Sequence, residues 1–206
     1  VKYALDCEYI IAGTENYDKE TINQLHKLKY LFRMGSGLDN INIDYLNEKK
    51  IKFTKSNITP EIAVAELIVG YILSFYRNIH EHDKNLKNHI WKKKMGSVLN
   101  GKTVGIIGYG KVGRYLHRIM KNFGIRTLIN DKKKVHHKNT AIDTLVKNSD
   151  IISININLAS NKQLLNKRRL NFCKKNCLII NTARSEVIDN EHLYNLLKNK
   201  KIFGAC

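Results

Sequence analysis

The sequence predicts an α/β fold made of doubly wound parallel sheets, and three observations carry that prediction. Short runs rich in branched aliphatic residues alternate along the chain with segments of helical period. Two of the runs, Asp150–Ile156 (DIISINI) and Cys177–Asn181 (CLIIN), are nearly continuous in apolar character, as strands covered on both faces are. A glycine turn, Gly108-Tyr109-Gly110-Lys111-Val112-Gly113, joins the strand-like run Lys102–Ile107 to a helical segment, and Asp131 stands just past the next strand, Ile125–Ile129. Strand, turn, helix and strand in about thirty residues read as one βαβ unit.

Taken in order, Tyr3–Ala12 suggests a partial strand, and Tyr17–Leu28 a helix with Ile22, Leu25 and Leu28 on one side. Lys29–Phe32 is a short strand that enters a turn, Arg33–Asn40, containing Gly35 and Gly37. A short helix, Ile43–Lys49, and a strand, Ile51–Thr54, follow. Pro60 is the only proline, and it suits the first turn of a helix. The helix from Glu61 to about Asn78 is apolar over most of its surface, so it is expected to be buried between elements. Its continuation, Ile79–Asn88, turns polar. His80, His82 and His89 sit there among charges without a spaced acidic set, which reads as surface histidine rather than a metal site.

The helix of the βαβ unit, Lys111–Phe123, places Val112, Tyr115, Leu116, Ile119, Met120 and Phe123 on one face. After Asp131, helices are expected at Thr140–Lys147, Lys162–Phe172 and Glu191–Lys198, with strands at Asp150–Ile156, Cys177–Asn181 and from Ile202 to Cys206.

Bulk properties narrow the function classes. A chain of 206 residues can hold one large domain or two modest ones. A net charge of +18 raises nucleic acid as a partner, but the lysines are spread along the whole chain. The runs Lys92–Lys94 and Lys132–Lys134 lack interleaved aromatics and read as solvated surface, so no nucleic-acid partner is expected. Cys7, Cys173, Cys177 and Cys206 follow no zinc or disulfide pattern, which suits a reducing, cytoplasmic setting. Cys173 and Cys177 are four apart, which means one face on a helix and nothing on a loop. The longest apolar run, Ile62–Tyr76, is too short to span a bilayer and contains Glu66. No membrane association and no signal peptide are expected, although the chain begins on Val1 rather than Met.

The glycine turn has a chemical reading. Gly108 permits a sharp bend, Gly110 lets backbone amides approach a pyrophosphate, and Gly113 lets the helix pack closely on the strand. The helix N-terminus offers N–H groups and a positive dipole end to a phosphate. Asp131 lies where a carboxylate accepts from the adenosine ribose hydroxyls of NAD. A plain βαβ unit without nucleotide is the alternative.

Several segments, in order, resemble the NAD-dependent D-2-hydroxy-acid dehydrogenases, most closely the D-3-phosphoglycerate dehydrogenase branch. They are Gly13-Thr14-Glu15, LKYLFRMGSGLDNI at 28–41, AVAEL at 63–67, Trp91, GKTVGIIGYGKVG at 101–113, SDIISINI at 149–156 and INTARSEVID at 180–189. The resemblance implies a Rossmann-type cofactor domain over 58–206, incomplete at its C-terminus, and a partial, smaller flavodoxin-like α/β substrate domain over 1–57. It implies a cleft between them, NAD as cofactor, a small 2-hydroxy or 2-oxo acid as substrate, and a homodimer at full length. By the same resemblance, Gly108, Tyr109, Gly110, Lys111, Val112 and Gly113 hold the pyrophosphate and Asp131 the ribose. Ile156, Thr182 and Ala183 lie along the nicotinamide. Arg184 is the catalytic arginine, whose planar guanidinium can grip a carboxylate and polarise the adjacent carbonyl. Ser36 and Gly37 bind that carboxylate from the other domain.

The sequence departs from the family pattern at Asn57 and Asn157, where proline is usual, and at Ser185, where glycine is. The family's acid–base histidine and its glutamate fall beyond the segment resembling 201–206, and none of the eight histidines here stands in that place. Three functional outcomes follow: a phosphoglycerate-like 2-hydroxy-acid dehydrogenase, a non-catalytic NAD-binding regulator, or an inactive fragment.

Overall fold

A computed structural model describes residues 3–35, 37–57, 60–133, 139–158 and 161–206. Ser36 and Lys134 lie outside the described residues. The chain divides into two compact units, Val1–Pro60 and Glu61–Cys206.

The first unit is a three-stranded parallel sheet in the order β1 (Tyr9–Ala12), β2 (Tyr30–Arg33), β3 (Lys52–Lys55). The crossovers are α1 (Lys19–Gln24), capped by Asp18, and α2 (Ile43–Glu48), capped by Asn42. Ile22, Leu25, Leu28, Leu31 and Leu46 fill its core. The strand expected from Tyr3 begins only at Tyr9. Cys7 N–H turns back on the Ala4 carbonyl, and pairing with β2 starts at Tyr9 opposite Tyr30.

The second unit opens with α3 (Glu61–Arg77) and α4 (Ile79–Lys87), separated by Asn78 at φ 54°. Its sheet follows the order β5-β4-β6-β7-β8, all parallel: β4 (Thr103–Ile107), β5 (Arg126–Asn130), β6 (Ile151–Ile154), β7 (Leu178–Asn181) and β8 (Gly204–Ala205). The sheet is covered on both faces. Val104, Ile106, Ile151, Leu178 and Ile180 face the core shared with α3 and with α5 (Lys111–Asn122). Ile107, Ile152, Ile154 and Ile179 face the core shared with α6 (Ile142–Asn148), α7 (Lys167–Leu170) and α8 (Asn190–Lys198). That strict alternation is why these strands read as continuous apolar runs. An isolated parallel bridge between Ile129 and Asn139 adds a vestigial position outside β5. The chain therefore leaves β4 for β5 on one side and returns to β6 on the other, which makes the β4/β6 boundary the switch point.

Two expectations are corrected here. α3 buries one face, through Ala65, Ile68, Ile72 and Tyr76, while Ile62 and Leu67 stay half exposed. The helix expected over Lys162–Phe172 is only Lys167–Leu170. Gln163 and Leu165 instead give their N–H groups to Glu186 and Val187 carbonyls, and Asn166 caps the helix that follows. Extended pairing has won over a helical pattern.

Candidate functional site

The strand ends at the switch point surround a cleft of about 660 Å³, a size suited to a small ligand. Ile107, Gly108, Tyr109 and Gly110 come from the end of β4, Asn130 and Asp131 from the end of β5, and Asn155 and Ile156 from the end of β6.

The three glycines are in different circumstances. Gly108 has φ +92°, and a β-carbon there would meet the Asn155 carbonyl oxygen at 2.5 Å. Gly113 holds α5 against the strand so closely that a β-carbon there would clash with the Gly108 carbonyl oxygen. At Gly110 a β-carbon would meet nothing within 4 Å, so the space beside it is open. Gly110 is also the N-cap of α5, without any side-chain cap. An uncapped helix start beside an open glycine fits a phosphate.

Asp131 is held in place by the backbone. Its Oδ2 accepts from the Tyr109 N–H at 2.6 Å and its Oδ1 from the Lys133 N–H at 2.8 Å. The Asn139 carboxamide closes the same turn, accepting from Asp131 N–H and donating to its carbonyl. The Tyr109 ring packs edge-on against His117, and burial raises its phenol pKa although Arg114 works against this. Lys111, Arg114, Lys132 and Lys133 all line the cleft. Lys132 and Lys133 are exposed, as expected of a solvated run, and stand at the rim of the cleft. Val112 turns its side chain into the core, so only its backbone could serve a ligand.

Thr182 lies next to this cleft: its Oγ1 is 3.5 Å from both the Ile154 carbonyl and Asn155 Oδ1. Ala183 and Arg184 line a second hollow of about 320 Å³, with Asn181, Ser185 and Cys206. The Asn181 carboxamide organises this turn, accepting from Ala183 N–H and donating to the Arg184 carbonyl. Arg184 Nη1 donates to the Ala183 carbonyl at 3.0 Å. Ser185 does not take a positive φ, so a side chain suits the position where the family usually has glycine. The glycine cleft and the Arg184 hollow share no lining residue.

In the first unit, Gly37 accepts through its carbonyl from Nε of Arg33 at 2.9 Å. Arg33 is buried at the end of β2 and also donates to the Ala12 and Gly13 carbonyls, so it braces the turn that carries Gly37.

Sequence reasoning missed Arg114, Asn155, Asn161 and the bracing Arg33. Arg114 had a usable signal, one turn along α5 from Lys111. The asparagines had none in a chain so rich in asparagine. Among the described residues, no group of three or more His, Cys, Asp or Glu side chains could hold a metal ion. No single helix among them is long and apolar enough to cross a membrane.

Comparisons with known proteins agree with this geometry. Residues 69–206 match the family model described as D-isomer specific 2-hydroxyacid dehydrogenase, NAD binding domain. Over 203 residues the chain is 35% identical to a hydroxypyruvate reductase of Thermotoga maritima, covering 95% of this chain and 66% of that protein. It is 33% identical over 212 residues to a D-3-phosphoglycerate dehydrogenase of Methanocaldococcus jannaschii, covering 98% of this chain and 40% of that one. A solved D-lactate dehydrogenase from Aquifex aeolicus, complexed with NAD and lactic acid, superposes with a TM-score of 0.87 at 25% identity, over 99% of this chain and 65% of that one. The chain therefore spans about two thirds or less of each of these proteins.

Proposed function

The chain belongs to the D-isomer-specific 2-hydroxyacid dehydrogenase family, and from that membership we propose an oxidoreductase that moves hydride between C2 of a phosphoglycerate-like D-2-hydroxy acid and NAD. The observation that carries this reading is the cleft at the switch point, where the open Gly110 and the backbone-held Asp131 stand together. NAD would supply the hydride acceptor. The chain's own residues bind and orient: the α5 N-terminus and Lys111 take the pyrophosphate, Asp131 the adenosine ribose, and Ile156 and Thr182 the nicotinamide side. Arg184, held by Asn181, grips the substrate carboxylate and polarises the bond beside it.

Fluorescence titration with NADH tests the reading. Saturable binding that is lost in Gly110→Val supports it, and no binding to the folded, unaltered protein overturns it.

A second reading, NAD binding without turnover, is favoured by one observation. Among the described residues, the lining of the Arg184 hollow holds no histidine and no carboxylate to carry a proton. His192, the nearest histidine in sequence, is engaged through Nε2 with Asn171 at 2.8 Å.

We place the protein in the cytoplasm as a homodimer. The partner surface is the apolar strip of Leu86, Ile90, Trp91, Met95 and Val98, of which Trp91 is 90% exposed. An indole left in water at that level favours association.

A further inference from the structure

β5 is an edge strand, and its ladder to β4 ends at Asn130, so Asp131 follows where strand pairing has stopped. Its peptide groups are nevertheless held. The Oδ1 of Asn139 accepts from Asp131 N–H at 3.0 Å, and the Nδ2 of Asn139 donates to the Asp131 carbonyl at 2.9 Å. A carboxamide carries a donor and an acceptor side by side, so one side chain closes both bonds, as a neighbouring strand would.

Asn139 is itself anchored. Its backbone forms a parallel bridge with Ile129, and the next N–H, that of Thr140, donates to the Ile129 carbonyl at 2.7 Å. Asn130 Nδ2 in turn donates to the Thr140 carbonyl at 2.8 Å. Ala141 then caps α6, whose Leu145 and Val146 are wholly buried. The clamp therefore stands on the core of the second unit. Asp131, Tyr109 and Lys133 line the cleft, whereas Asn139 does not. Asn139 reaches a ligand there only through the residue it holds.

We propose that Asn139 is a positioning residue for cofactor selectivity, fixing the Asp131 backbone so that its carboxylate stands ready to receive a ribose hydroxyl and to oppose a 2′-phosphate. The proposal rests on the reading of this cleft as the NAD site. Without the clamp, the Asp131 peptide groups turn to water and the carboxylate must be ordered when the ligand arrives. Ordering it beforehand lowers that cost of binding.

Asn139→Ala removes both bonds and leaves every side chain of the cleft lining in place. The test is fluorescence titration of the unaltered protein and the variant with NADH and with NADPH, alongside a urea midpoint for each. NADH affinity should fall about threefold to tenfold. NADPH affinity should hold or rise, so the gap between the two cofactors narrows. In Asp131→Ala no carboxylate remains to be placed, and adding Asn139→Ala there should change NADH affinity by less than about twofold. Asn139→Ser, whose hydroxyl can keep one of the two bonds, should lose less than alanine, and it carries the comparison where the alanine variant does not fold. An equal loss for both cofactors, no loss, or the same loss with and without the Asp131 carboxylate overturns the role of Asn139 while leaving the NAD site standing. Failure of the unaltered protein to bind NADH is a different result, which removes the NAD reading and this proposal with it.

Discussion

The backbone N–H of Tyr109 donates to Asp131 at 2.6 Å, tying the glycine turn after β4 to the carboxylate at the end of β5. This bond means that Asp131 is not a loose side chain searching for a ribose. One oxygen is set by Tyr109 and the other by the Lys133 N–H, and each retains a lone pair for a ribose hydroxyl. A 2′-phosphate brought to the same place would meet that negative charge. Yet Lys111, Arg114, Lys132 and Lys133 line the cleft around it, so Asp131 alone opposes a more anionic ligand.

NADH is therefore expected to bind more tightly than NADPH. Asp131→Asn should weaken NADH on the order of tenfold, the worth of one charge-assisted hydrogen bond, and should tighten NADPH. Parallel fluorescence titrations measure both. Equal or tighter NADPH binding by the unaltered protein would sink the assignment of Asp131.

The glycines offer a contrast within one turn. Gly113→Ala forces a β-carbon onto the Gly108 carbonyl and should cost about 1–3 kcal/mol of stability as overpacking. Gly110→Ala meets nothing in the protein and should leave the urea midpoint nearly unchanged while weakening NADH. If the two variants exchanged these behaviours, the open side of the turn would have been placed wrongly.

This turn was legible in the sequence because glycine spacing, a change of apolar period and a trailing acid are all local signals. The cores of β4, β6 and β7 were legible too, since burial on both faces leaves continuous apolar runs. What could not be read were the long-range backbone pairings. Leu165 accepts no helix because Val187 and Asp189, more than twenty residues later, take its N–H and carbonyl. Asn155, on the cleft wall, meets Thr182 from the end of the neighbouring strand, and no pattern in the sequence announces a contact across strand ends. The charge run at Lys132 is exposed, as read, but nothing local tells that the exposed lysines border a cleft.

Asp150 should give the second unit a measurable acid sensitivity. Burial works to raise its pKa, but the Lys174 ammonium, the Thr103 N–H and the charge of Lys102 together hold it below the ordinary 3.8. A carboxyl depressed in the folded state contributes stability that is fully present above its unfolded value and fades as pH falls through the folded one. Asp150→Asn should therefore destabilise by about 1–3 kcal/mol at neutral pH, with the difference shrinking toward zero at low pH. Urea midpoints near neutrality and in acid decide this. A difference independent of pH would assign the effect to packing.

The apolar strip yields a prediction about assembly. Trp91→Asp, at a position 90% exposed, should leave folding unchanged and shift the protein toward monomer in sedimentation equilibrium. A dimer unaffected by Trp91→Asp and Met95→Asp together would move the interface elsewhere.

The last prediction separates binding from turnover. Oxidation of a 2-hydroxy acid requires the hydroxyl proton to leave as hydride departs from C2, and a positioned base contributes on the order of 10²–10⁴ in rate. Among the described residues, the lining of the Arg184 hollow has no histidine or carboxylate, and His192 bonds to Asn171 through Nε2. The polypeptide 1–206 should therefore bind NADH and show negligible 2-hydroxy-acid oxidation. Arg184 should still be visible by binding. With NADH present, an inert 2-oxo acid analogue should bind the unaltered chain and lose affinity on the order of tenfold or more in Arg184→Ala, with NADH affinity unchanged. Arg184→Lys should recover only part of that loss, because an ammonium cannot form the paired, planar contact of a guanidinium. Robust oxidation by 1–206 that vanishes in His192→Ala would make that histidine the base and overturn the assignment. Equal affinity for the analogue in Arg184→Ala would remove Arg184 from the substrate site.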